Sequence, residues 1–464
     1  MPESGTRVTQ ESQSMKLPAP HIVLSLLALS SASGAARISG EGDWTALDRA
    51  HRGDLAAMLR WVQRADPIVQ PRSNRSAAEL VAVLDRAGRF EELGLSSEEG
   101  ALLVEAVYRR FRLAPRTTDL PATDRSGSPR DSAIQFRAAT EIEPIHAVLM
   151  RWPFDWASQR TPYSEMVDRL SNSGALIYMW TNTQSQQESA KSYLENRSVP
   201  TSHVRWVIEE TSTVWIRDYG PNFLHEVGGD GWGLADFHYY NSRPKDDDTP
   251  LFVAAATGAP VMNRQSGPKI VYTEGGNLNH DGLGTVAYSE RTYGNNQGVD
   301  PSVIDQRIRS AFSAGQSIVP EDPSLDGTGH IDMFTKIVSS NTILVGEYDP
   351  DETDYQVLED AAALFEGSTN GAGDPWNVVR IWQPDVYYVF FIFPVVRTYT
   401  NSLIVNDQVL LPTYNLPYDA TAVAIHEAIL PGKTIHSIDA SNIIESGGAW
   451  HCVTMEFADP TNPD

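Results

Sequence analysis

Four short stretches hold side chains suited to covalent attack on a cationic carbon. Ser446-Gly447-Gly448-Ala449-Trp450-His451-Cys452 contains the single cysteine of the 464-residue chain. A lone thiol cannot close an internal disulfide, so Cys452 is either a small packing group or a nucleophile. The Gly-Gly before it lets backbone come close to a ligand. Upstream, Trp215-Ile-Arg-Asp-Tyr-Gly-Pro221, Glu274-Gly-Gly-Asn277 and Gly329-His-Ile-Asp332 supply an imidazole and several carboxylates, the partners a thiolate enzyme uses.

Each stretch alone has a plain structural alternative. Arg217-Asp218 reads equally as an ion pair entering a Gly-Pro turn, although Trp215 and Tyr219 beside it suit the wall of a pocket for a planar ligand. Glu274-Gly-Gly-Asn277 reads as a turn. If Gly329–Asp332 is extended, the two-residue alternation puts His330 and Asp332 on one face, where they suit proton transfer. A zinc site is not expected, because no second histidine or thiolate lies at short spacing. Taken together the set has a chemical logic. Asp218 and Asp332 can accept paired N–H bonds from a guanidinium, whose fork matches carboxylate geometry. The substrate cation would also favour the thiolate of Cys452. A cysteine protease has no use for two carboxylates on its reacting group.

The elements that must position these residues lie in the longer, C-terminal part of the chain. Short apolar runs such as Ala147–Met150, Ala175–Trp180, Thr342–Val345, Val389–Phe393 and Val409–Leu411 alternate with helical segments around Tyr163–Ser171, Gln186–Glu195, Thr353–Phe365 and Thr421–Leu430. That alternation predicts one α/β domain. Ahead of it come a secretory signal region (1–36), a small all-helical region (37–115) without a chemical motif, and a Pro/Ser/Thr-rich linker (116–137) before the catalytic domain (138–464). The signal reading rests on Lys16, the apolar run Ile22–Leu29 and the small residues Ser30–Ala36. It predicts a secreted or periplasmic bacterial protein. No mature stretch is long enough to span a bilayer. With 36 Lys+Arg against 60 Asp+Glu and a net charge of -24, the chain lacks the basic footprint that nucleic acid requires.

The order WIRDYGP, EGGN, GHID, then GG–HC resembles the agmatine deiminase and bacterial peptidylarginine deiminase family of the guanidine-modifying pentein superfamily. Glu143-Pro-Ile-His-Ala-Val-Leu-Met-Arg-Trp-Pro153 and Thr400-Asn-Ser-Leu403 share the likeness, which covers about residues 138–460. The resemblance implies a five-bladed pseudo-symmetric α/β propeller with the site in its central channel. By motif position it makes Cys452 the nucleophile, His330 the general acid/base, and Asp218 and Asp332 the guanidinium ligands. Trp215, Arg217, Glu274, Asn277 and Asn401 are expected around the substrate. The implied reaction forms a covalent thiouronium, loses ammonia and yields a ureido product, with no metal or other cofactor. Asp236-Phe-His-Tyr-Tyr-Asn-Ser-Arg243-Pro-Lys245 is similar to the peptidylarginine branch, in which an Arg-Pro-Arg segment holds the substrate carboxylate. Lysine stands at the second position here, and it cannot make the same bidentate contact. The expected partner is a small molecule or peptide bearing a guanidinium: arginine or peptidyl-arginine first, and agmatine as the alternative. A non-catalytic pentein-like binder of arginine-rich ligands is the reading from outside enzymology.

Overall fold

The computed structural model describes residues 135–458 apart from 230, 263–270 and 390–392, together with six positions between 82 and 101. The expected signal region, the helical region beyond those six positions, and the linker up to residue 134 lie outside the described residues.

Four sheets repeat one plan: an antiparallel pair of strands, then a crossover containing helix, then a strand parallel to the pair's second strand. Asn279–His280 and Thr285–Ala287 pair antiparallel, and Gln316–Ile318 joins in parallel after helix Pro301–Ala311. Thr335–Ser339, Thr342–Glu347 and Asn377–Trp382 do the same around helix Tyr355–Glu366. Leu403–Val405, Gln408–Thr413 and Thr434–Asp439 repeat it around helix Asp419–Ile429. In the fourth, Thr454–Ala458 pairs antiparallel with Ile145–Arg151, then Leu176–Thr181 and Val204–Ile208 extend the sheet in parallel across helices Arg160–Leu170 and Gln184–Glu195. A fifth sheet joins Phe136–Ala138, Asn222–Glu226 and Trp232–Ala235, and Leu234 bridges Val261 in parallel. The plan follows from strand physics, since a parallel neighbour needs a crossover of a dozen or more residues whereas a hairpin needs about two.

Local signals set the joints. Thr183 caps Gln184–Glu195 by accepting from the Gln186 N–H, and Asp300 caps Pro301–Ala311 with proline in the first turn. The two-residue turn between Val405 and Gln408 puts Asn406 at φ 54. Asparagine tolerates that left-handed conformation, and its amide then bonds the backbone of Ile145 and Ser173, tying two sheets together. The central strand Gln408–Thr413 is buried throughout, so it reads in sequence as an apolar run without alternation.

Three expectations need correction. Val389–Phe393 is not one strand: Tyr387–Val389 pairs antiparallel with Phe393–Val395. The apolar run there is long enough for two strands, and its continuous hydrophobicity hides that there are two. Gly329–Asp332 does not run extended; Ile331–Met333 is a 3₁₀ turn. Helix Pro301–Ala311 was not anticipated, although Asp300-Pro301 and the buried Ile304 and Ile308 mark it. None of the helices among the described residues is long and apolar enough to cross a membrane.

Candidate active site

Each of the five sheets of three or four strands is entered through a short buried segment, and those segments carry the chemistry. Asp218 lies in the turn Ile216–Tyr219 before Asn222–Glu226. Gly275–Asn277 precedes Asn279–His280, and Ile331–Met333 precedes Thr335–Ser339. Asn401 precedes Leu403–Val405, and Cys452 precedes Thr454–Ala458. Equivalent positions in five sheets thus converge on one place.

Gly276 marks its centre. A Cβ added there would lie 2.7 Å from His330 Nδ1, 2.8 Å from Asp218 Oδ1 and 3.2 Å from Asp332 Oδ2. Cys452 is fully buried beside this cluster. Asn401 Nδ2 donates to its sulfur at 3.2 Å, and the thiol lies 3.7 Å from Asp332 Oδ2. The Asn401 carbonyl accepts from the N–H of Ala449 at 3.0 Å and more loosely from that of Cys452, which fixes the loop carrying the thiol. Gly448 must stay bare, since a Cβ there would meet Cys452 Sγ at 2.7 Å and the Trp215 ring at 3.0 Å. Trp215 therefore does line the thiol's surroundings.

His330 places Nε2 2.8 Å from Glu274 Oε2 and Nδ1 3.7 Å from Asp218 Oδ1. Burial favours the neutral ring, but the charges of Asp218, Glu274 and Asp332 outweigh it and raise the His330 pKa to about 9. His330 is therefore an acid at neutral pH. Asp332 moves the other way: burial pushes its pKa up, but the bond and charge of His451, with His330 and Arg217 behind them, hold it below the usual range. Its Oδ2 accepts from His451 Nδ1 at 2.7 Å, while buried Oδ1 meets no hydrogen-bond donor among the described residues.

Some expected substrate contacts belong to the scaffold instead. Arg217 forms a two-pronged pair with Glu456, and its Nε donates to the His451 carbonyl. Glu274 is the partner of His330. The Asn277 carbonyl accepts from the Ser289 and Ile331 N–H groups, and its amide donates to Thr292, so Asn277 shapes the turn that holds His330. Arg243 and Lys245 make other contacts: Arg243 stands 5.0 Å over the Tyr240 ring and donates to the Tyr239 hydroxyl, and Lys245 pairs with Glu210 at the surface. Tyr239 packs against Tyr219, next to Asp218, at 5.7 Å between ring centres.

Sequence reasoning missed Glu141 and Lys336. Glu141 bonds His451 Nε2 and the buried Lys336 ammonium. The only available signal was a lysine inside the apolar strand Thr335–Ser339. Glu141, His451 and Glu456 bring ligand atoms within 4.8 Å of one another, a spacing a metal ion could use. Lys336 and Arg217 already neutralise these carboxylates, so the cluster is an ion-pair network rather than an open cation site.

The pattern of the Porphyromonas-type peptidyl-arginine deiminase family matches residues 137–458. The agmatine deiminase of Pseudomonas fluorescens is 25% identical over 307 residues, covering 59% of this chain and 81% of the relative. The solved agmatine deiminase of Enterococcus faecalis superposes with a TM-score of 0.60 at 19% identity, covering 71% of this chain and 99% of that one.

Proposed function

Because the chain belongs to the Porphyromonas-type peptidyl-arginine deiminase family, we propose that it hydrolyses the guanidinium of arginine or peptidyl-arginine to a ureido group and ammonia through Cys452. The observation that carries this is the gathering of Asp218, Asp332 and His330 around Gly276, against the only thiol of the chain.

The geometry supports a two-stage reaction. The guanidinium settles between Asp218 and Asp332, and its positive charge favours loss of the Cys452 proton to solvent. The thiolate attacks the guanidinium carbon, forming a C–S bond. Imidazolium His330 protonates the departing nitrogen, the C–N bond breaks and ammonia leaves. His330, now neutral, takes a proton from water as its oxygen attacks the thiouronium carbon. Collapse breaks the C–S bond, returns the thiolate and leaves a protonated ureido product that sheds its extra proton.

Agmatine is the competing substrate, favoured by the likeness to agmatine deiminases. Arg243 favours a carboxylate-bearing arginine, because its charge sits two aromatic rings away from Asp218. The deciding assay measures ammonia and ureido product from agmatine, free arginine and peptides with internal or C-terminal arginine, for the wild type and Cys452→Ala. Turnover of a guanidinium by the wild type with about 10⁶-fold loss in the variant is expected. Retained activity in Cys452→Ala would remove the mechanism.

Two broader readings accompany this one. Five sheets, each entered through a segment of the site, support a five-bladed propeller around Cys452; an experimental structure with the sheets arranged otherwise would overturn it. The lysine, apolar run and small residues of positions 15–36 support export, and full-length protein confined to the cytoplasm on fractionation would overturn that.

A further inference from the structure

The reaction leaves the buried imidazole beside Cys452 in sequence unused. His451, 1% exposed, lies between two carboxylates, with Nδ1 2.7 Å from Asp332 Oδ2 and Nε2 2.8 Å from Glu141 Oε1. Carboxylates accept and do not donate, so both ring nitrogens must carry protons to make both bonds. The surrounding charges lead to the same conclusion. Around the ring stand three carboxylates (Asp332, Glu141 and Glu456) and two fixed cations, Arg217 and Lys336. A buried group of this kind is tolerated when its charges pair, and a positive His451 brings the set to neutrality. Behind it, a cavity of about 40 Å³ is lined in part by Glu141, Arg217, His451 and Glu456, together with the His280 ring. Burial keeps His280 neutral, with its pKa lowered to about 4, so it adds no charge.

We propose that His451 is a positioning residue: as an imidazolium clamped by Glu141, it keeps Asp332 ionised and fixes its carboxylate through Oδ2, the oxygen that lies nearest Gly276 and the Cys452 thiol. This inference rests on the deiminase reading of the site. Asp332 carries the chemistry, His451 orients and charges it, and Glu141 with Lys336 orients His451. The bridge also reaches Cys452 through the chain itself, since Arg217 N–H donates to the Cys452 carbonyl and Arg217 Nε to that of His451.

The test compares the pH dependence of kcat/KM in wild type and His451→Gln, on whichever guanidinium substrate the wild type turns over. Glutamine keeps a donor for one carboxylate but carries no charge. Asp332 then takes up a proton more readily, so the acid limb should move to higher pH by about one unit, and on that limb KM should rise about tenfold while kcat falls less. Raising the pH should restore much of the loss. A folded His451→Gln protein with an unmoved acid limb, or equally slow at every pH, overturns the proposal. If that variant fails to fold, ¹⁵N-histidine spectra of His330→Gln at the wild-type pH optimum decide instead. One ring with both N–H protons shielded from solvent exchange supports the proposal, and no such ring overturns it. A wild type that turns over no guanidinium fails the deiminase reading, and the spectra still report on the clamp.

Discussion

Asp332 separates two regions built on opposite electrostatic terms. Behind it, Asp332, Glu141 and Glu456 face Arg217, Lys336 and His451, and each of these pairings is a contact within the protein. In front of it, the carboxylates of Asp218 and Glu274 lie against the imidazolium of His330. Both regions are dry, since none of these side chains exceeds about 11% exposure. Burying unbalanced charge is costly unless a counterion arrives. The rear carboxylates are each paired within the fold, and the carboxylates of the front favour a cationic ligand. A guanidinium meets that requirement in charge and in planar shape. The same carboxylates raise the pKa of His330 against its burial.

The largest effect that separates the two regions should come from Gly276→Ala. The glycine has no positive φ, so alanine suits its backbone, and only the front is crowded. The added methyl would lie within 3.2 Å of His330, Asp218 and Asp332, in the volume assigned to the guanidinium. Turnover should fall by at least about 100-fold, in line with the cost of small misplacements in a positioned site. Stability should change by about 1–3 kcal/mol, the usual cost of overpacking. Steady-state kinetics and urea unfolding on the same preparation check both. Near-normal kcat/KM would mean that the substrate binds elsewhere.

The next effect is in stability rather than rate. His330 has a folded pKa of about 9 against an ordinary 6.5. Its proton therefore stabilises the fold fully below about pH 6.5, and that contribution disappears as pH rises through about 9. At about 1.4 kcal/mol per unit, the difference amounts to roughly 3 kcal/mol. Urea unfolding of wild type and His330→Gln at pH 6 and pH 9.5 should show a larger alkaline loss in the wild type. Equal losses would show that Asp218 and Glu274 do not hold the proton.

Front and rear also differ in how far the sequence revealed them. Cys452, His330, Asp218 and Asp332 stood in short motifs whose residue types have a joint chemical use, so they were legible before any coordinates. Their meeting point was less so: the expected alternation at His330 and Asp332 is replaced by a 3₁₀ turn, held by Asn277 accepting from the Ile331 N–H. The rear was nearly invisible. Glu141 lies 310 positions from His451 and 195 from Lys336, and no local pattern links residues so far apart. Arg217 and Glu274 were seen but given to the substrate, because spacing shows that a charge is present without naming its partner. The strand–helix alternation did reveal the α/β class, since crossovers leave a strong periodic signal. The antiparallel pair Tyr387–Val389 and Phe393–Val395 escaped because both strands are apolar.

The smallest expected effect tests whether the front's selectivity extends to the far end of the substrate. Arg243 and Lys245 flank one proline, yet the structure treats them differently. Lys245 and its partner Glu210 are both 56% exposed, and such pairs contribute about 0–1 kcal/mol. Arg243 is half-buried over Tyr240 and bonded to Tyr239, and its segment is pinned by Asp246, which accepts from Thr213 just ahead of Trp215. Only Arg243 is thus coupled to the strand entry that carries Asp218. A substrate carboxylate meeting it should gain about 1.5–3 kcal/mol, a factor of ten or more in KM. Arg243→Ala should therefore raise KM for carboxylate-bearing arginine substrates about tenfold and leave agmatine nearly unchanged, whereas Lys245→Ala should shift either by less than about threefold. Lys245→Arg should sharpen the preference only if its side chain leaves Glu210, so a null result there is compatible with the rest. If Arg243→Ala weakens agmatine and arginine equally, Arg243 acts through Tyr239 on the shape of the front alone, and the choice between substrates must be made elsewhere in the site.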